Sequence, residues 1–537
     1  MKLLIEKYNQ LTKNFENFHQ FQEDAINALL QGKNSLVIAP TGKGKSLIYQ
    51  IAGQELPGIT IVVSPLIALI NEQADFLGGD LALSLSSNIS FAEQRKVLRD
   101  IANGSYSPKF IFLSPERIQN YFFKSALKAS GLAVSLFVVD EAHCISQWGS
   151  DFRPEYDQIT QFITFLKELN QNPAILAMTA TIGEKPKTEI LAEFKINSEQ
   201  SFYDRNLLRP ELELNFIEVS EEKEKFHVLE ELLKEHKPKK ALVYFYDIPN
   251  CRSFAKRLNK LGHSSLTYYS GMQSQDKEAV YSKFRVGEID ILCATTAFGM
   301  GMNIPDIDMV VHHRMPNSIE EYYQQAGRAA RDKKVCPSAK CFLLWSEANF
   351  EFKFDEHIPS TIIQMEQIEN AFRQFGLTNN ANIPQSLEYS DYISQELGRL
   401  RYCFEKRGLL KTIGEVNGTP KSIEFVNKNA FWDAIVTKMS FGNSFIRAAQ
   451  NSGLELHELI DFVFERELNG EIKKFPAREK KIFLISQYNQ IPIDLLYEII
   501  DESINLADFK EEQVHKLIGL IKSDDPQNYI KSYFKNN

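Results

Sequence analysis

Short apolar runs alternate with amphipathic stretches through residues 1–205. The runs are rich in β-branched and aromatic residues and end at polar or turn residues, which is typical of β-strands. Helical patterns lie between them, and this alternation predicts a parallel sheet with helices on both faces. The predicted strands are Ser35–Ala39, Thr60–Ser64, Phe110–Ser114, Leu136–Asp140 and Ala174–Thr179.

A second series of the same kind follows a join near Ser201–Glu213, where Arg209-Pro210 interrupts the pattern. Helical segments at Ile248–Leu261 and Asp276–Arg285 separate its strands. The chain is therefore predicted to hold two α/β units in tandem, the second at residues 206–348. The strands predicted for this unit are Lys240–Phe245, Ser265–Tyr269, Ile289–Ala294, Met309–His313 and Cys341–Trp345.

The last third of the chain carries a mostly helical pattern. Within residues 349–430, Asp391–Arg407 has a helical pattern and is followed by Lys411–Val426, which consists of two strand-like halves. Asn417-Gly418 between the halves is a hairpin signal, and a helix followed by a hairpin predicts a winged helix. Residues 431–537 are predicted to form a helical C-terminal domain.

Composition is that of soluble globular domains, since 43% of the 537 residues are apolar and 24% are charged. No apolar run approaches the roughly 20 residues of a membrane span, and the N-terminus has no signal-peptide pattern. The six cysteines form no CxxC pair, which favours a reducing compartment over a disulfide framework. We therefore expect no membrane association and a location in the bacterial cytoplasm or nucleoid.

Net charge neither supports nor excludes nucleic acid as a partner. The chain has a formal charge of −9 and a pI of about 5.7, whereas small DNA-binding domains are usually basic. A large protein can still hold a phosphate backbone in a local basic channel while the rest of its surface is acidic.

A glycine-rich segment lies between the first predicted strand and a helical pattern. Its glycines let the backbone curl so that N–H groups point at phosphate oxygens, and the helix N-terminus adds a favourable dipole. Lys45 is expected to reach the β- and γ-phosphates of a nucleotide, and Ser46 to ligate Mg²⁺. The predicted cofactor-binding residues here are Ala39, Pro40, Thr41, Gly42, Lys43, Gly44, Lys45 and Ser46.

The segment Asp140-Glu-Ala-His143 stands at the end of another predicted strand. In a parallel sheet that end shares an edge with the glycine-rich loop. Asp140 is expected to hold Mg²⁺ through its water shell, and Glu141 to orient and deprotonate the attacking water. Together with Lys45 and His143, these carboxylates form the predicted catalytic group of the first unit.

The segment Gln324-Gln-Ala-Gly-Arg328-Ala-Ala-Arg331 lies in the second unit. Two arginines three positions apart share a helix face, and such a pair is often only a surface feature. Opposite a phosphate-binding loop, guanidinium groups can instead stabilise the charge on a phosphoryl group in transfer. Gln324, Arg328 and Arg331 are therefore predicted to complete the site, so that ATP draws the two units together.

The order of motifs resembles that of superfamily 2 helicases, and most closely that of the RecQ-type DNA helicases. The most specific segment is Asp140–Tyr156, which looks nearly identical to the family's box and aromatic-rich loop; Ser318–Gln325 is also similar. The resemblance covers about residues 15–347. The further matching motifs are Val63–Leu69, Leu113–Arg117, Met178–Thr181 and Ala294–Gly301.

The resemblance implies several contacts that the residues alone do not give. Gln22 would read the adenine edge, although His19 stands where the family usually has an arginine. Nucleic acid would be contacted by an aromatic loop and by one further motif, at Trp148, Phe152, Arg153, Ser64 and Pro65. Asn303 stands where the family usually has aspartate, and Ala330 where it usually has glycine.

The largest departure from the family is the zinc site that usually follows the second unit. That site has four cysteines, whereas the region here holds only Cys403. We expect ATP and Mg²⁺ as cofactors and no zinc; an irregular site that pairs Cys403 with His357 is the alternative. Apolar residues spaced for a helix in Glu351–Leu377 are expected to stabilise this region instead.

The sequence thus predicts two RecA-like parallel-sheet domains, a winged helix and a helical C-terminal domain. By resemblance the chain would be a 3′–5′ ATP-dependent DNA helicase that acts on single-stranded and forked DNA, with a possible protein partner at its C-terminal third. RNA remodelling, or an ATPase switch without strand separation, remains open as an alternative. Repair, recombination and defence against foreign DNA are equally compatible with the sequence.

Overall fold

Two parallel α/β units in tandem make up the first two thirds of the chain, as predicted. We call residues 17–204 lobe 1 and residues 208–345 lobe 2. The computed structural model describes residues 2–8, 17–40, 42–65, 67–85, 91–146, 156–180, 182–204, 208–299, 302, 304–375, 386–389, 395–416, 420–425, 456–476, 480–485 and 492–536.

Lobe 1 is a seven-stranded sheet with the order β3-β4-β2-β5-β6-β1-β7, and every neighbouring pair is parallel. Most of its strands are buried on both faces because helices cover each side of the sheet. The strands are β1 Ser35–Ile38, β2 Ile59–Val63, β3 Ala82–Leu85, β4 Phe110–Leu113, β5 Val134–Val139, β6 Ala174–Thr179 and β7 Ser201–Tyr203. The helices are α2 Gln20–Leu30, α3 Lys45–Glu55, α4 Ile67–Leu77, α5 Phe91–Ala102, α6 Tyr121–Ser130, α7 Asp157–Glu168 and α8 Glu184–Glu193, and a short helix α1 Lys2–Lys7 precedes the lobe.

Lobe 2 repeats this design with a six-stranded parallel sheet in the order β10-β11-β9-β12-β13-β8. The predicted join holds β7, which pairs with lobe 1, and the start of β8, which pairs with lobe 2. The strands are β8 Leu212–Glu218, β9 Ala241–Tyr244, β10 Ser265–Tyr268, β11 Ile291–Ala294, β12 Met309–His312 and β13 Ala339–Trp345. The helices are α9 Glu224–His236, α10 Ile248–Lys260, α11 Ser274–Val286 and α12 Ile319–Ala326.

The C-terminal third contains helices and, against expectation, strands beyond residue 431. Its helices are α13 Glu347–Phe352, α14 Met365–Gln374, α15 Gln395–Lys406, α16 Leu456–Leu468, α17 Ile493–Ile521 and α18 Pro526–Asn536. Its strands are β14 Ser386–Tyr389, β15 Leu410–Val416, β16 Pro420–Phe425, β17 Ile472–Pro476 and β18 Lys480–Ile485.

The pairing of these strands corrects the predicted hairpin. Instead of folding back on β16, β15 pairs antiparallel with β18, while β16 pairs antiparallel with β17. The register runs from Leu410 opposite Ile485 to Val416 opposite Lys480 in one pair, and from Pro420 opposite Pro476 to Phe425 opposite Ile472 in the other. The Asn-Gly signal was misleading because the partner strands, 47 or more positions away, lay in a segment predicted to be helical. Asn417 and Gly418 themselves lie outside the described residues.

The segment expected to replace the zinc site does form an amphipathic helix. Ile368, Ala371 and Phe372 of α14 are fully buried and pack in one apolar cluster with Cys403 and with residues of α15 and α17. The thiol of Cys403 is therefore part of a hydrophobic core, and His357 instead contacts the rings of Tyr246 and Phe352. No cluster of three or more metal-ligating side chains occurs among the residues described.

The C-terminal third packs on both lobes. Phe464 of α16 stacks on Tyr121 of lobe 1 with ring centroids 6.1 Å apart, and Arg95 of lobe 1 pairs with Glu467 at 3.2 Å. On the other side, α17 and α18 contribute side chains to the core of lobe 2. The C-terminal third thus completes the packing of both lobes. Within the described ranges, the structure holds no helix with the length and apolarity that crossing a membrane requires.

Candidate nucleotide site

The glycine-rich loop connects β1 to α3 at the carboxyl edge of the lobe 1 sheet. Gly42 and Gly44 have φ values of 83° and 72°, a left-handed conformation that glycine adopts without steric cost. The loop thereby curls around the N-terminus of α3, where backbone N–H groups are free for an anion. Lys45 and Ser46 are the first two residues of this helix, as predicted, and Thr41 lies outside the described residues.

The side chain of Lys45 is held by a backbone carbonyl of the same loop. Its Nζ donates a hydrogen bond of 2.6 Å to the carbonyl oxygen of Ala39. Loss of surrounding water lowers the pKa of Lys45, while the nearby carboxylates of Glu141 and Asp140 act in the opposite direction. A phosphate oxygen would be a stronger acceptor than this carbonyl, so the ammonium group is poised to bind a nucleotide.

Asp140 follows β5 and lies beside Lys45. Burial and the adjacent Glu141 carboxylate raise the pKa of Asp140 to about 7. Carboxylate and hydroxyl oxygens are the ligands that Mg²⁺ prefers, and a divalent cation would favour the ionised form of this carboxyl. Asp140 and Ser46 therefore fit the predicted magnesium site.

Ser64 contacts this group from the end of β2. Its side chain is almost completely buried, and its Oγ donates a hydrogen bond of 3.0 Å to Oδ2 of Asp140. A hydroxyl in that position orients the carboxylate, and a contact of Ser64 with nucleic acid stays a prediction. The adjacent Pro65 is half-buried.

Glu141 is buried in a strained backbone position. Its φ of 49° lies in the left-handed region, which is uncommon for a residue with a side chain. Its Oε2 accepts no hydrogen bond within the described part of the chain and lies 3.4 Å from Nδ1 of His143. The same nitrogen is 2.9 Å from Oγ1 of Thr179 at the end of β6. The carboxylate therefore has an oxygen available for a water molecule, and His143 connects it to the next strand.

Gln22 lies against the loop with its side-chain amide already engaged. Its Nε2 donates to the carbonyl oxygens of Lys43 and Gly44 at 3.1 and 3.0 Å, and its Oε1 accepts from the backbone N–H of His19. In this arrangement the amide group stabilises the conformation of the loop. Its reading of an adenine remains a prediction.

Lobe 2 contributes the two predicted arginines. Arg328 is 1% exposed, and among the described residues neither its Nε nor its Nη1 has a hydrogen-bond partner. Nη1 of Arg331 donates to the carbonyl oxygen of Met302 at 2.5 Å. The positive charges of both arginines contribute to lowering the pKa of Lys45, which places them within electrostatic range of the loop in lobe 1. Nε2 of Gln324 is also buried and lacks a partner within the described ranges.

The structure thus brings predicted residues of both lobes toward one site. Trp148, Phe152 and Arg153 lie outside the described residues. Sequence reasoning missed Arg209, whose guanidinium contacts the backbone around Arg328. Its only signal was a break in the strand pattern before Pro210.

Family profiles match both lobes. The profile described as DEAD/DEAH box helicase matches residues 19–189, and the one described as helicase conserved C-terminal domain matches residues 224–333. These ranges contain the glycine-rich loop, the Asp140 box and the arginine segment.

Curated relatives match more than half of this chain. The chain is 37% identical over 323 residues to "ATP-dependent DNA helicase RecQ" of Pasteurella multocida, a match that covers 59% of this chain and 49% of the relative. It is 34% identical over 362 residues to "Probable ATP-dependent DNA helicase RecS" of Bacillus subtilis, covering 66% of this chain and 68% of the relative. The chain spans about half the length of the Pasteurella relative.

Solved structures show the same fold at lower identity. The DUF1998 helicase MrfA bound to DNA and AMPPNP has a TM-score of 0.53 at 17% identity, covering 66% of this chain and 52% of that one. Dbp5 of S. cerevisiae bound to RNA and ADP BeF3 has a TM-score of 0.53 at 16% identity, covering 64% of this chain and 88% of that one. At these identities the likeness concerns the fold alone.

Proposed function

This chain belongs to the RecQ-type helicases of superfamily 2, and on that premise we propose that it is an ATP-dependent DNA helicase. The observation that carries the proposal is the split site. Lys45, Asp140 and Glu141 stand in lobe 1, and the charges of Arg328 and Arg331 in lobe 2 act on Lys45 across the interface. A nucleotide bound between the lobes would contact both, so its hydrolysis would change how they meet.

In this proposal each residue has a separate task. Lys45 and the backbone of the glycine-rich loop bind the phosphates, and Asp140 and Ser46 hold Mg²⁺, which when bound neutralises phosphate charge. Glu141 accepts the proton of the attacking water. The guanidinium groups of Arg328 and Arg331 stabilise the charge that develops on the transferred phosphoryl group.

We further propose that repeated closure moves the chain along single-stranded DNA in the 3′–5′ direction and separates a forked duplex. The family relationship supports DNA as the substrate, because the curated relatives are named as DNA helicases. Trp148, Phe152 and Arg153 are proposed to contact the strand and to couple that contact to hydrolysis. Such an enzyme would act in the bacterial cytoplasm or nucleoid, where chromosomal DNA is accessible.

A protein partner at the C-terminal third is also part of the proposal. Ile493, Tyr497 and Ile504 are exposed apolar side chains on α17, although the opposite face of this helix is packed. They are available for a contact with another protein.

An unwinding assay tests the main proposal. Purified protein with Mg²⁺ and ATP is mixed with forked duplexes and with duplexes that carry only a 3′ or only a 5′ tail. We expect strand separation on forked and 3′-tailed DNA. RNA duplexes of the same sequence serve as the comparison, and preferential unwinding of these would favour RNA remodelling. DNA-stimulated hydrolysis without strand separation on any substrate would contradict the helicase assignment and favour an ATPase switch.

A further inference from the structure

One buried side chain connects the start of lobe 2 to the two arginines of that lobe. Arg209 is 7% exposed and stands just before β8. Its Nη1 donates to the carbonyl oxygen of Gly327 at 2.6 Å, and its Nη2 donates to those of Ala329 and Ala330 at 2.9 and 2.6 Å. A single guanidinium group therefore holds three carbonyls of the segment that carries Arg328 and leads into Arg331.

The position of Arg209 is itself fixed. Its Nε donates to Oε1 of Glu211 at 2.9 Å, and the other carboxylate oxygen of Glu211 lies 3.1 Å from Nζ of Lys333. Its backbone N–H donates to the hydroxyl oxygen of Tyr323 in α12 at 2.7 Å. The guanidinium fork is thus held at its base and at its tip, which a planar group with five donors allows.

The backbone that Arg209 holds has an unusual conformation. Ala330 has a φ of 47°, in the left-handed region that favours glycine, and its N–H donates to the carbonyl oxygen of Ile307 at 2.9 Å. At Gly327, a Cβ would lie only 2.9 Å from the carbonyl oxygen of Tyr323. A strained turn between tightly packed neighbours persists only where surrounding contacts fix it, and the carbonyl contacts of Arg209 lie on both sides of this turn.

The side chain of Arg328 adds little to its own placement. It is buried, and two of its three nitrogens lack a partner in the described part of the chain. Its direction is therefore determined mainly by the backbone from which it projects. Misplacement of a charged group by about 1 Å can cost about 10²-fold in rate.

We propose that Arg209 is a positioning residue for ATP hydrolysis. It fixes the left-handed turn at Ala330 so that Arg328 and Arg331 face the nucleotide. The inference rests on the proposed ATPase function. It assigns no contact between Arg209 and the nucleotide.

The test compares Arg209→Lys with wild type in the full chain. A lysine retains the charge but cannot donate to three carbonyls in one plane. The readouts are kcat and KM for DNA-stimulated ATP hydrolysis, affinity for a non-hydrolysable ATP analogue, and the unfolding temperature. We expect kcat to fall by about 10²-fold, as for a small misplacement of a catalytic group, with analogue affinity nearly unchanged.

Two further variants separate positioning from general stabilisation. Arg401→Met removes another arginine that is 1% exposed, one that pairs with Glu405 at 2.6 Å inside α15. It should lower the unfolding temperature at least as much as Arg209→Lys while kcat stays near wild type. Ala330→Gly lets the turn form without strain, so the loss of kcat caused by Arg209→Lys should be several-fold smaller in the Ala330→Gly background.

Several results would overturn the inference. These are an unchanged kcat in Arg209→Lys, a loss confined to nucleotide affinity, or a penalty of the same size in the Ala330→Gly background. If Arg209→Lys does not fold, Glu211→Gln must show the same split between kcat and affinity at smaller size, and an unchanged kcat there is equally decisive. A wild-type chain that hydrolyses no ATP would instead overturn the proposed function.

Discussion

The two halves of the nucleotide site differ in how their charges are balanced. In lobe 1 the cation Lys45 lies beside the carboxylates of Asp140 and Glu141. In lobe 2 the guanidinium groups of Arg209, Arg328 and Arg331 lie close enough to affect one another, and burial together with the other two lowers the pKa of Arg331 to about 9. The cation of the lobe 1 half is thus compensated by carboxylates, whereas the lobe 2 half brings three cations close together.

This difference gives a physical reason for closure. Cations held close to one another repel, and a triphosphate provides negative charge that would offset this repulsion. The nucleotide would bind first to the compensated half, where a helix N-terminus and a loop receive it. The cations of lobe 2 would then favour the closed state, and loss of the γ-phosphate would remove part of that attraction.

The largest expected effect comes from removing the lysine of the compensated half. Lys45→Ala should abolish hydrolysis because backbone N–H groups alone cannot offset the phosphate charge. The measurement is steady-state ATP hydrolysis with saturating single-stranded DNA. A rate near that of wild type would show that the loop is not the phosphate site.

Removal of an arginine from the lobe 2 half should separate turnover from binding. Arg331→Ala is expected to lower kcat by about 10³–10⁵-fold, the effect of losing an arginine finger. Nucleotide affinity, measured with a fluorescent analogue, should change much less. A large loss of nucleotide affinity with turnover per bound nucleotide preserved would contradict the proposed role of Arg331 in turnover.

Glu141→Gln tests the lobe 1 carboxylate with a nearly isosteric amide. Since the amide cannot accept the proton of the attacking water, turnover should fall by about 10²–10⁴-fold while nucleotide binding persists. Single-turnover hydrolysis and equilibrium binding, measured on the same preparation, check the prediction. Surviving turnover would mean that another residue is the base.

The smallest expected effect is a loss of stability of lobe 2 at acidic pH. Burial lowers the pKa of His312 and of His313 to about 4, with Arg314 and Lys225 respectively as the next causes. In the unfolded chain both would titrate near pH 6.5, so the unfolded state binds more protons between pH 6.5 and 4. The contribution of the two neutral histidines to the free energy of unfolding should therefore be fully present above pH 6.5. Below pH 6.5 the free energy of unfolding should fall by up to about 1.4 kcal/mol per pH unit for each histidine.

Denaturant unfolding between pH 4 and pH 7.5 measures this slope, and hydrogen exchange in β12 assigns it to lobe 2. His312→Gln should make the dependence shallower, whatever its effect on stability at neutral pH. An unchanged slope in this variant would show that His312 does not contribute.

The sequence predicted the structure of lobes 1 and 2 far better than that of the region that follows them. Strands such as β2 and β5 are short apolar runs buried on both faces, and the residues at their ends follow from the edge that parallel strands share. Local patterns therefore determine both the fold of a lobe and the position of Lys45 and Asp140. The same logic found Arg331, because its segment forms part of a recognisable motif.

Contacts distant in sequence explain what was missed. The partner strands of β15 and β16 lie beyond residue 471, so the local Asn-Gly signal predicted the wrong partner for each strand. Arg209 carries no local sign of its role, because its partners are backbone carbonyls 118–121 positions away. Ser64 was assigned to nucleic acid by motif, while its role as a donor to Asp140 depends on the adjacent strand.

The docking of α16 on lobe 1 has a consequence for how the protein is made. Nε of Arg99 donates to the carbonyl oxygen of Glu467 across 368 positions, and Phe464 packs on Tyr121 and Phe122. During synthesis, lobe 1 leaves the ribosome long before α16 has been made. The aromatic side chains of α6 therefore stay exposed to solvent until α16 can pack on them. We expect ribosome-bound chains stopped before Leu456 to be cleaved by protease at α6, and chains extended past Leu468 to resist. If α6 is equally protected from protease in both chains, lobe 1 folds without the contact that α16 makes with it.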